Sequence, residues 1–89
     1  MLAVIHDPRR IVRLQPALLA KVHGLTKTEA ALAAALAAGR TVASFAIGQG
    51  SSEHTARTHM KRILEKTGTK RQADLVRALL TGVAAYLAR

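Results

Sequence analysis

The chain has no cysteine and no tryptophan, and only one phenylalanine, one tyrosine and two prolines among its 89 residues. Without cysteine there is no disulfide framework and no thiolate metal site, which fits a reducing cytoplasm. With so few rings, the core must be built from Leu, Ile, Val and Ala, which suits small helices packed closely. Acidic residues are scarce too: five Asp and Glu stand against 14 Lys and Arg, for a net charge of +9 and a pI near 11.5. Long apolar runs are missing. The longest stretch, Ala30 to Ala38, falls far short of the ~20 residues a membrane span needs. Met1 to Pro8 is no secretory leader in pattern, because its charges follow the apolar run instead of preceding it. No membrane partner is expected.

A chain of this length makes one small domain with little material for a deep catalytic pocket. It carries no Ser-His-Asp order, no Gly-rich phosphate loop after a strand and no paired carboxylates. The expectation is a non-enzyme without a cofactor. The four histidines, His6, His23, His54 and His59, do not form a metal set: His54 and His59 are five apart and off one helix face. What the chain does have is cationic charge, and a small basic domain favours polyanions such as nucleic acid, anionic membrane or acidic protein.

Residues 1–24 differ from the rest. Leu2-Ala3-Val4-Ile5 is a β-prone run stopped by the turn signal His6-Asp7-Pro8, and Arg9, Arg10 and Arg13 follow in a loop. Pro16 suits the first turn of a short helix over Ala17 to Val22, ended by Gly24. This segment reads either as an ordinary N-terminal extension or as the tail of an upstream sensor domain. From Leu25 the punctuation is regular. Thr26 and Glu29 form a capping box, and a helix runs to Ala38 and stops at Gly39. Thr41 caps a second helix to about Gln49. Gly48, Gly50 and Ser51 make a tight turn, and Ser52 caps a third helix over Glu53 to Thr67, ended by Gly68. Thr69 with Gln72 looks like another capping box. The next helix starts at Lys70 or Arg71 and runs to about Leu80, with its apolar pattern extending past Gly82 to Leu87. Residues 25–89 are thus expected to form a domain of four helices without a sheet.

On a wheel of 100° per residue, Ala56, Met60, Ile63 and Leu64 of the third helix share one face, which is the core side. His54, Arg57, Thr58, Lys61, Arg62 and Glu65 fall opposite, with Thr55, His59 and Lys66 between. From Ser52 to Arg71 there are six basic residues and two acidic ones. A solvated amphipathic helix has this pattern; so does a major-groove helix. There, outward Arg, Lys and Thr meet base edges, and flanking cations such as Arg62 and Arg71 neutralise phosphates. A short helix, a glycine turn and a capped long helix form the arrangement that props a second helix away from the body.

The spaced residues Leu25-Thr26, Glu29, Leu32, Leu36-Ala37, Gly39, Phe45-Ala46, Ser52, Thr55, Arg57-Thr58-His59, Ile63, Lys66 and Gly68 closely resemble the LuxR/GerE-type helix-turn-helix signature. The match runs without a gap from Leu25 to about Leu80. The resemblance implies an all-α DNA-binding fold, a three-helix core without a wing plus a fourth helix, as the output domain of a bacterial transcription regulator. It implies that the third helix reads the major groove of double-stranded DNA, with Arg57, Thr58 and Lys61 as base contacts. It places Thr55, His59, Lys66 and Lys70 at or beside backbone contacts. It also implies a homodimer through the last helix, and RNA polymerase as a further candidate partner.

The apolar stripe of the last helix, Leu75, Val76, Leu79, Leu80, Val83 and Leu87, reads mainly as core. Leu75, Leu79 and Val83 are the candidates for a dimer seam. Some positions depart from the family. Gln49 and Ser51 stand where large aliphatic residues normally pack the two central helices, and Thr28 and Ala31 replace a frequent Arg and Glu. Polar residues at 49 and 51 imply either a looser turn or a rotated helix in which Ile47 packs instead. Two other readings stand beside DNA regulation: a sigma-factor-like promoter-binding region, and a protein-interaction module whose helix-turn-helix no longer binds DNA.

Overall fold

The computed structural model describes residues 14–88. The β-prone run at residues 2–5, its turn and the arginines at 9, 10 and 13 lie outside the described residues. Within them the chain is all-α, with no strand: α1 (Pro16–His23), α2 (Lys27–Ala37), α3 (Val42–Gln49), α4 (Glu53–Thr67) and α5 (Gln72–Leu87).

Local chemistry sets most of these bounds. Pro16 opens α1, where its fixed φ suits a first turn and its missing N–H is no loss. At α2 the capping box forms in both directions. Glu29 N–H donates to Thr26 Oγ1 at 3.2 Å, and Thr26 N–H donates to Glu29 Oε1 at 3.0 Å. Thr41 accepts from Ser44 N–H at 3.0 Å to start α3, and Ser52 accepts from Thr55 N–H at 3.1 Å to start α4. Each hydroxyl satisfies an amide that the first turn would otherwise leave bare. The capping box expected at Thr69 and Gln72 does not form. Gln72 is already the first residue of α5, whose N-cap is Arg71 with no side-chain cap, and Thr69 Oγ1 pairs instead with Thr67 Oγ1 at 2.9 Å.

The alanine-rich α2 is the hub. It touches each of the other four helices. Its buried residues include Ala30, Leu32, Ala33 and Leu36, and alanine lets neighbouring backbones approach closely. Leu19, Phe45, Ala56, Ile63, Leu75 and Leu79 complete the same buried cluster. The smallest available spacing is used where α1 meets α5. A methyl group on Gly82 would lie 2.6 Å from the His23 ring, so only glycine fits with the ring in place.

This packing places three groups of residues that the sequence singles out. The short helix expected before residue 25 forms as α1 and packs on α2 and α5 through the fully buried Leu19, so it shares one core with the four helices of residues 25–89. Leu75 and Leu79 are 0% exposed and Val83 is 6% exposed, so these dimer candidates are already consumed by the core. The large apolar side chains that α5 leaves exposed are Leu80 and Leu87. Finally, Ile47 does not rotate inward: it is 80% exposed, and Gln49 and Ser51 are exposed beside it. With those polar side chains in water, no buried hydrogen-bonding group goes unpaired at either position.

Candidate nucleic-acid interface

The turn from α3 to α4 sets the angle at which α4 leaves the body. Gly50 adopts φ 68°, ψ 26°, a left-handed conformation that costs other residues roughly 1–2 kcal/mol. Its N–H and that of Ser51 close the end of α3 on the Ile47 and Ala46 carbonyls, at 3.1 and 3.0 Å. Three residues, Gly50 to Ser52, separate α3 from α4. Glu53 in its first turn and Lys66 in its last complement the helix dipole.

Two faces of α4 then separate. Ala56 and Ile63 are buried, with Met60 and Leu64 packed partly against the core. His54, Thr55, Arg57, Thr58, Lys61, Arg62, Glu65 and Lys66 are all exposed. A shallow groove on this outer side is lined by Thr58, Lys61, Arg62, Glu65 and Lys66. The candidate base-contact residues Arg57, Thr58 and Lys61 therefore sit together on an uncovered surface. Thr58 spends its hydroxyl proton on the His54 carbonyl at 3.1 Å, which leaves its methyl and a lone pair for any outside partner. Lys70 and Arg71 are exposed in the α4–α5 connection, Arg71 lying 3.6 Å from Asp74.

The residues expected at a backbone are not equivalent. Thr55 is exposed, with its hydroxyl 3.0 Å from that of Ser52. Arg62 is exposed and available. His59 is half-buried; its Nδ1 is enclosed without a hydrogen-bond partner, so only its other ring nitrogen could serve a phosphate.

Lys66 departs most from expectation. Its ammonium donates to Glu29 Oε1 at 2.7 Å, bridging α4 to the start of α2 across 37 residues of sequence. Glu29 is 2% exposed. Burial pushes its carboxyl up, but the hydrogen bond and charge of Lys66, with the Thr26 amide and hydroxyl, outweigh this and hold it below the ordinary carboxylate range. Lys66 thus ties the C-terminal end of α4 to the body through a buried carboxylate.

Two partner residues escaped the sequence reading. Glu29 was seen only as a cap; nothing local announces its second partner 37 residues away. Glu53 marks only the start of α4 in the sequence, yet its Oε2 accepts from Arg57 Nε at 2.9 Å and also from Nη2. A signal for this pair did exist, since acid and base four apart are neighbours on a helix. No helix of the described residues is long and apolar enough to cross a membrane. No family model, no curated protein and no solved structure matches this chain.

Proposed function

We propose that this domain binds double-stranded DNA through α4 and acts as the output domain of a transcription regulator of the LuxR/GerE type. The observation that carries the reading is the division of α4. Its apolar side is anchored by Ala56 and Ile63, while Arg57, Thr58, Lys61 and Arg62 stand exposed on the other side of a helix set off by a glycine turn. A B-DNA major groove admits one helix, and Arg bonded to guanine O6 and N7 is its commonest specific contact. Arg62, Lys70, Arg71 and Thr55 lie where they can meet phosphates, which supply most of the affinity and its salt dependence. The role is binding, not catalysis.

The test is titration of the domain against a duplex enriched from a random pool. Arg57→Ala and Lys61→Ala should each weaken binding to that duplex by about 1–3 kcal/mol while leaving the fold intact. Unchanged affinity in both would remove α4 as the reading helix. A two-copy assembly through α5, if it binds a two-fold site, would use Leu80 and Leu87 in place of the buried residues. A second reading, a protein-interaction module, is favoured by Ile47, a large apolar side chain left 80% exposed on α3 beside the cationic helix. Loss of partner binding in Ile47→Asp with duplex binding intact would assign that face to a protein.

A further inference from the structure

Glu53, Arg57 and Lys61 lie at successive four-residue steps along the exposed side of α4, so each neighbours the next. Arg57 has five N–H donors in a planar fork. Two of them, Nε–H and one Nη2–H, converge on a single oxygen of Glu53, Oε2. That leaves the end of the guanidinium, the two Nη1–H groups and the second Nη2–H, unengaged by Glu53. The parallel pair Nη1–H and Nη2–H is the edge that matches two adjacent acceptors, as in guanine O6 and N7. Both side chains remain largely open to solvent, Arg57 at 67% and Glu53 at 47%, so the fork is restrained without being hidden.

Resting on the reading of α4 as a groove helix, we propose that Glu53 is a specificity-determining positioning residue that holds Arg57 with its paired-donor edge outward. The carboxylate acts in two ways. It occupies the donors with which Arg57 would otherwise swing to a phosphate, and its own negative charge repels phosphates near that end of the helix. Both effects weaken sequence-independent binding more than binding to a site whose base acceptors meet the free edge. Discrimination is the ratio of those two affinities, so a residue that lowers the weaker one raises specificity without touching a base.

The experiment measures dissociation constants of the domain for its pool-enriched duplex and for a scrambled duplex, across a salt series. It uses wild type, Glu53→Gln, Arg57→Ala and the double variant. In Glu53→Gln, affinity for the scrambled duplex should rise several-fold, and the logarithmic salt dependence should steepen by about one phosphate contact. The enriched-to-scrambled ratio should fall about tenfold, the scale of one well-made base contact. In the Arg57→Ala background the same change should alter that ratio much less, because Glu53 then has nothing to position and only its repulsion of phosphates is lost. A merely structural role would shift thermal stability and both affinities together, with no change in the ratio. If Glu53→Gln leaves the ratio within about twofold of wild type while wild type discriminates, this inference is overturned and the DNA reading stands. If wild type binds no duplex at low salt, both fall.

Discussion

Replacing Lys66 by alanine separates a strut from a phosphate contact. As a surface lysine it would be worth about 0–1 kcal/mol, and its side chain is indeed 38% exposed. Its partner is not. The Glu29 side chain is 3% exposed, and without the ammonium its carboxylate keeps only the Thr26 amide and hydroxyl environment of the capping box. Breaking a fully buried pair costs about 3–5 kcal/mol. Here water reaches one end of the pair, which screens the interaction, so we expect about 2 kcal/mol. For a domain of this size that lowers Tm by about 8–16 °C. Glu29→Gln should cost less, about 1 kcal/mol, because the amide oxygen can still accept from Thr26 and Lys66 can turn to water. Thermal unfolding followed by far-ultraviolet circular dichroism at neutral pH measures both. A Tm loss below about 4 °C in Lys66→Ala, or a loss no larger than that of Glu29→Gln, would refute the strut. Duplex binding adds an independent check. The salt dependence of binding should be unchanged in Lys66→Ala, whereas a lost phosphate contact would flatten it by about 0.9 per contact.

Other predictions concern the same framework. Because the Glu29 carboxyl is held low, the unfolded chain takes up its proton first on acidification. The stability it supplies is therefore complete above about pH 4.3 and declines as the pH falls through the lower folded value. Denaturant midpoints across that acid range should fall more steeply in wild type than in Glu29→Gln, and parallel curves would contradict this. Ile63→Ala empties a fully buried site on α4 and should cost about 2–5 kcal/mol in denaturant unfolding. A cost near 0.5 kcal/mol would mean that α4 is not anchored there. Gly82→Ala should destabilise by about 1 kcal/mol through the His23 ring. In a His23→Ala background it should instead stabilise by about 0.5–1 kcal/mol, since alanine is the better helix residue. The same sign in both backgrounds would show that the ring does not limit the site.

The elements legible in the sequence are those whose causes lie within a turn of chain. The caps at Thr26, Thr41 and Ser52 act over three residues, and α4 starts and stops at the residues its cap and Gly68 announce. The two faces of α4 follow from the helical period alone, so the outward set of Arg57, Thr58 and Lys61 and the buried pair of Ala56 and Ile63 were both readable. The sequence does not carry the angles at which helices dock, and those angles decided the rest. They drew α1 into the core through Leu19, and they buried Leu75, Leu79 and Val83 where a seam had been open. They also brought Lys66 to Glu29, a contact that no local pattern announces. A local hydrogen bond has few competitors within four residues, but an amphipathic helix can turn its apolar stripe toward several neighbours. Only the packed assembly of all the helices selects one.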